Sequence, residues 1–212
     1  MLTYAVGLHL GINLCVTHYY PCGKLIGARG TLRLSCKRGA AKAMRHHLLN
    51  DIVRRTLVRA NIPSVLESTG LSRGDGKTPD GMTLIPWQGG KNITWDVIVT
   101  NNIAYSYLHV SAAFAGGAAD EAASKKEIKY TALDHSYTFI PLSFETYGSI
   151  NNKGIKFLQE LSRRLRTISE QPRESVFLLQ RISVTLQRST AIAFSDTFTM
   201  ASETEFFSFC QI

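Results

Sequence analysis

Apolar positions recur at helical spacing between residues 42 and 60, at Met44, Leu48, Leu49, Ile52, Val53, Leu57 and Ala60. Arg45, Arg54, Arg55 and Arg59 lie elsewhere around the wheel, so the segment is expected to be an amphipathic basic helix. Asn61-Ile62-Pro63 ends it, and Ser64 to Glu67 reads as a short strand before a turn-rich stretch from Gly70 to Gly76. Two strands follow, Gly81 to Trp87 and Ile93 to Thr100. The second alternates: Ile93, Trp95, Val97 and Val99 share one face, and Thr94, Asp96, Ile98 and Thr100 share the other. An Ala-rich run that becomes charged predicts a helix over residues 117 to 132, and Tyr137 to Phe144 reads as an apolar strand. Phe157, Leu158, Leu161 and Leu165 set a helix over residues 151 to 168. Pro172 opens another to about residue 193, with Val176, Leu179, Ile182 and Leu186 turned inward. This order predicts an α/β fold with a mixed sheet.

Gln88-Gly89-Gly90-Lys91 is a hairpin signal between the two strands. A three-residue loop with Gly90 left-handed pairs Trp87 with Lys91 and sets Asp96 opposite Met82, leaving Asp80 and Asp96 on one face. A two-residue loop sends them to opposite faces, so the turn decides whether the two acids can act together.

Composition adds a partner class. The 212 residues are 44% hydrophobic and 19% charged, enough for one core and too little for two large domains. The net charge is +8, and it is uneven: ten basic residues face one acid up to residue 60, leaving fourteen basic against fifteen acidic residues in the rest. A basic N-terminal third on a neutral body suggests a polyanionic partner, against the simpler reading of a solvated basic face. Four unevenly spaced cysteines do not resemble a secreted disulfide framework, which favours an intracellular protein. Residues 1 to 16 are uncharged and apolar but short, Gly-broken and without a basic leader or cleavage site. They read as a buried strand or helix, and no membrane association is expected.

The sharpest chemical feature is Thr78-Pro79-Asp80-Gly81, followed by Asp96 inside a strand. Two carboxylates at one end of a hairpin can ligate Mg²⁺ or Mn²⁺, and the ion lowers the pKa of a bound water for attack on a phosphodiester. Pro-Asp-Gly is also a common turn tripeptide. Asp96, flanked by Trp95 and Val97, needs a partner or a cation. Glu67 and Asp51 are candidates for a third acid, although Asp51 lies four residues from both His47 and Arg55, where helical pairs explain it. Gly74-Asp75-Gly76 is too short to cradle a nucleotide, and no Walker loop is present.

From about Gly30 to Phe198 the chain resembles the restriction-like endonuclease of the PD-(D/E)xK fold, in the version found at the C-terminus of non-LTR retroelement reverse-transcriptase polyproteins. The stretches that carry the resemblance are RHHLLNDIV (45 to 53), SVLESTGLSRGDGKTPDGMTLIPW (64 to 87), WDVIVT (95 to 100), KKEIKY (125 to 130), FIPLSFETYG (139 to 148) and LLQRISVTLQRSTAIAF (178 to 194). It implies an αβββαβ core with a mixed central sheet and additional C-terminal helices over residues 42 to 198. A degenerate Cys/His knuckle-like segment would precede it (1 to 41), and a divergent tail would follow (199 to 212).

The resemblance also implies roles. Asp80 and Asp96 become the Mg²⁺ or Mn²⁺ ligands, with Glu67 in support. The usual lysine two residues beyond the strand acid is Ile98 here, so Lys126 and Lys129, on the following helix, are the candidate replacements. Cys22 and Cys36 remain of a zinc knuckle in which Tyr20 and Leu32 replace the expected Cys and His. Cys15 and His18 have ligand-like spacing, but four-ligand closure is not evident. Arg45, His46, Arg54, Arg55 and Arg59 are the expected DNA contacts. The function implied is metal-dependent nicking of target DNA by a domain associated with a reverse transcriptase, in the nucleus. The alternative is an inactive retroelement remnant that retains nucleic-acid binding. No polymerase motif occurs in these 212 residues.

Overall fold

The computed structural model describes residues 2–20, 22–35, 40–66, 78–133 and 135–195. Helix α1 (Leu2–Leu10) precedes a small hairpin, β1 (His18–Tyr19) and β2 (Leu25–Ile26). Then come α2 (Ala40–Arg59), β3 (Ser64–Leu66), β4 (Gly81–Thr83), β5 (Asn92–Thr100), α3 (Leu108–Ala113), α4 (Gly117–Tyr130), β6 (Tyr137–Glu145), α5 (Asn152–Ser169) and α6 (Glu174–Ser195). Strands β3 to β6 form one sheet in chain order, antiparallel except that β5 and β6 run parallel. The chain is thus a mixed α/β protein with six helices and a four-stranded mixed sheet among the described residues.

Alternation along β5 divides the molecule into layers. Ile93, Trp95 and Val97, with Ile140, Leu142 and Phe144 of β6, face α2, α5 and α6 in the main core. On α5 the buried stripe is Phe157, Leu158, Leu161 and Leu165, the spacing read from the sequence. On α6 the stripe is rotated: Leu178, Ile182 and Leu186 are buried, and Val176, expected inward, is exposed. Helix α4 covers the other face through Ala118, Ala119, Ala122 and Ala123, side chains small enough to bring a helix close to a sheet. The buried Glu145 carboxylate fixes its start, accepting hydrogen bonds from the Ala118 and Ala119 amides at 3.0 and 3.3 Å. The apolar N-terminus is a helix, α1, whose Leu8 joins Leu14, Leu34 and Phe194 in a second small core. Among the described residues no helix is long and apolar enough to cross a membrane.

Of the two loops the sequence left open, the hairpin takes the shorter. Gln88 pairs with Lys91 across a two-residue turn, and Gly89 and Gly90 both take left-handed backbone, at φ 59° and 74°. Only glycine adopts two such angles in succession at little cost. Strand β4 also ends at Thr83 rather than Trp87. Pro86 has no amide hydrogen for the ladder, and the Thr83 hydroxyl oxygen accepts from the Ile93 amide at 3.1 Å and donates to the Ile85 carbonyl at 2.9 Å. Regular pairing resumes with Met82 opposite Thr94 and Gly81 opposite Trp95. Asp80 therefore comes level with Asp96, and the two acids share a face although the turn has two residues, a correction to the rule that such a loop separates them.

Gly81 is required by a close approach. A β-carbon at this position would lie 2.2 Å from Cζ2 of Trp95, whose ring is fully buried and whose Nε1 donates to Asn50 Oδ1 at 2.7 Å. Gly81→Ala is expected to lower stability by about 1–3 kcal/mol, the usual penalty for overpacking. Urea denaturation checks this, and an unchanged midpoint would show that the indole can yield.

Candidate metal centre

Three elements converge beside β5. Asp96 projects from the middle of the strand on the α4 face and is buried. Asp80 stands at the entry to β4, and its Oδ2 accepts the Val97 amide at 2.6 Å, so the carboxylate is pinned to the neighbouring strand rather than left on a free turn. His46, on the first half of α2, places Nε2 2.9 Å from the same Asp80 oxygen. One donor atom from each of His46, Asp80 and Asp96 lies within 4.8 Å of the others, a grouping that could hold a metal ion.

Lys126 closes the far side. It lies on α4, and its Nζ forms an ion pair with Asp96 Oδ2. Tyr130, one turn on, stacks on Phe139 with ring centroids 4.5 Å apart and donates its hydroxyl to the Thr78 carbonyl at 3.2 Å. This ties α4 to the Thr78–Gly81 segment that carries Asp80. Lys129 is exposed, and no described ion pair joins it to either carboxylate.

The charges strain against one another. Burial pushes the Asp96 carboxyl up to about 6; the negative charge of Asp80 works in the same direction, and Lys126 only partly opposes them. The His46 imidazole is raised by its hydrogen bond to Asp80. Two crowded carboxylates, one held partly protonated for want of countercharge, are a donor set that a divalent cation relieves.

The remaining candidate residues fall elsewhere. Arg45 is a correction: it is 2% exposed, with Nη2 donating to the Leu34 carbonyl at 2.9 Å, so it is not on the surface to meet a phosphate. Desolvation lowers its pKa. Its position explains this, since Leu49, Ile52 and Val53 lie four, seven and eight residues on, along the same buried stripe. Arg59 is engaged with the buried Glu174 at 2.9 Å, linking α2 to the start of α6. Arg54 and Arg55 sit at the surface and pair with Asp51 at 3.7 and 2.7 Å, which places Asp51 in a helical ion pair outside the carboxylate cluster. Glu67 and Cys36 lie outside the described residues. Cys22 sits in the turn between β1 and β2, while the Cys15 thiol donates to the Gly27 and Ala28 carbonyls. Among the described residues no ligand cluster forms around these cysteines.

The sequence reading assigned His46 to phosphate and missed its place beside the carboxylates. The helix period gives only that His46 and Asn50 share a face; which element that face meets is seen in the structure alone. Asn50, four residues on, shares the face of α2 that meets β5 through the Trp95 indole, so His46 points the same way. No protein-family model matches the chain, and no curated protein matches it.

Proposed function

We propose that this chain is a metal-dependent DNA endonuclease domain of the restriction-like PD-(D/E)xK kind, derived from a retroelement, which nicks DNA by phosphodiester hydrolysis. The observation that carries the reading is the level placement of Asp80 and Asp96 on adjacent strands with Lys126 against Asp96. The element order α2, β3, β4, β5, α3, α4, β6, with β5 and β6 parallel, fits the αβββαβ core that the resemblance implies once the short helix α3 is counted as an addition before α4.

Each side chain has a role that follows from its position. Asp80 and Asp96 would hold Mg²⁺ or Mn²⁺, Asp80 being kept in place by the Val97 amide. The bound ion supplies an acidified water and a polarised phosphate oxygen. Lys126 brings a positive charge from α4 that Ile98 cannot provide, and an ammonium there stabilises the extra negative charge of a pentacoordinate phosphorus in the transition state. Arg54 and Arg55, on the exposed side of the helix that carries His46, can hold the duplex by its phosphates.

Supercoiled plasmid with Mg²⁺ or Mn²⁺ tests the reading. The parent is expected to convert it to open circles, and Asp80→Ala and Asp96→Ala to lose that conversion. Equal nicking by parent and variants would identify a contaminant and overturn the proposal. An inert parent that still shifts DNA in a gel would instead establish the inactive remnant.

A further inference from the structure

We infer that His46 is the third protein ligand of the metal centre, and that its imidazole nitrogen makes the site select Mn²⁺ over Mg²⁺. The inference rests on the metal-site reading above and names the ion that site takes. Nε2 of His46 points at the carboxylates, 2.9 Å from Asp80 Oδ2 and within 4.8 Å of a donor oxygen on each aspartate. In the metal-free site Nε2–H donates to Asp80; a cation that displaces this proton, leaving the ring proton on Nδ1, meets the Nε2 lone pair in the space shared by the two acids.

The ring is held there by the fold. On either side of it along α2 stand the buried Arg45, bonded to the Leu34 carbonyl, and Asn50, bonded to the Trp95 indole, so the helix cannot roll His46 away without breaking both contacts. The imidazole nevertheless keeps 40% of its surface exposed, which leaves a route for an ion and its waters. Lys126 occupies the other side of Asp96, so the open approach is the one beside His46.

Donor chemistry then separates the ions. Mg²⁺ requires near-ideal octahedral oxygen coordination and loses its waters reluctantly, so an imidazole in the set is a poor exchange for it. Mn²⁺ shares the preference for carboxylates but is a first-row transition ion that accepts imidazole nitrogen. Two aspartates and one histidine, with the remaining positions open to water and phosphate, suit Mn²⁺ best of this pair.

The test uses the full chain, metal-free, with Mn²⁺ alone as the probe. Pulsed electron paramagnetic resonance of the bound ion reads ¹⁴N coordination directly, and the free-ion signal gives the affinity. The parent and His47→Ala should both show ¹⁴N modulation. In His46→Ala and His46→Gln it should vanish and Mn²⁺ affinity should fall by about 10-fold or more, the range met when metal-site partners are removed. Mg²⁺ affinity, measured by calorimetry, should change much less. Bound Mn²⁺ without ¹⁴N modulation in the parent, or modulation that persists in both His46 variants, would overturn the inference while leaving the nuclease reading intact. A parent that binds Mg²⁺ but no Mn²⁺ would overturn the inference alone, one that binds neither ion would overturn both readings, and the parent spectrum decides on the histidine even where a variant misfolds.

Discussion

Replacing Lys126 with methionine is expected to slow plasmid nicking by about 100- to 1,000-fold, the usual loss when one preorganised group that stabilises transition-state charge is removed. Methionine keeps most of the length of the side chain, so the change is confined to the ammonium group that pairs with Asp96 and lies 5.8 Å from the centre of the Tyr130 ring. Lys129→Met should stay close to the parent, because that side chain is exposed and no described ion pair joins it to the carboxylates. Single-turnover nicking at saturating metal makes the comparison. A loss at Lys129 as large as that at Lys126 would mean that the ion pair seen on Asp96 is structural and that the charge comes from the other lysine.

Asp96→Asn should abolish nicking and stabilise the metal-free protein. Asp96 has a folded-state pKa of about 6, above its ordinary 3.8, so the neutral carboxyl is the form that favours folding. Its contribution is fully present below about 3.8 and is lost as the pH rises through about 6. At pH 7.5 in chelator the ionised group therefore costs the fold on the order of 3 kcal/mol. An amide of the same shape removes that cost, and Lys126, 30% exposed, can turn to water. For a chain of this size the gain corresponds to a melting temperature higher by about 6–12 °C. At pH 4.5, where Asp96 is already mostly protonated, parent and variant should melt close together. Differential scanning fluorimetry across this range settles the sign: a variant less stable than the parent at pH 7.5 would show that the Lys126 pair outweighs the burial of the charge.

The sequence carried the layers well and the site unevenly, for reasons that particular residues make plain. Helices α2, α5 and α6 were visible because their apolar positions repeat at 3 and 4 residues over several turns, α4 because its Ala-rich composition favours helix, and β5 because Ile93 to Thr100 alternates. Asp96 stood out as a charge in an apolar strand. What the sequence left open was set by contacts between distant segments. The hairpin register depended on the Thr83 hydroxyl entering the ladder and on Pro86 leaving it, neither of which changes a hydrophobic pattern. His46 approaches Asp80 because α2 crosses β5, a packing angle no local period encodes. Arg45 was misjudged because its charge was given more weight than its place on the buried stripe.

The irregular segment from Leu84 to Trp87 separates the two ends of the hairpin. The Gly89-Gly90 tip keeps its own alignment, Gln88 to Lys91, while the base keeps another, Gly81 to Trp95, and neither dictates the other. Errors at the tip, an added residue or a changed turn type, are absorbed before they reach the acids, whose alignment is held by Trp95 against Gly81 and by the Val97 amide on Asp80. The carboxylate pair is thus insulated from the hairpin tip: the turn can change in length or type while Asp80 and Asp96 stay level.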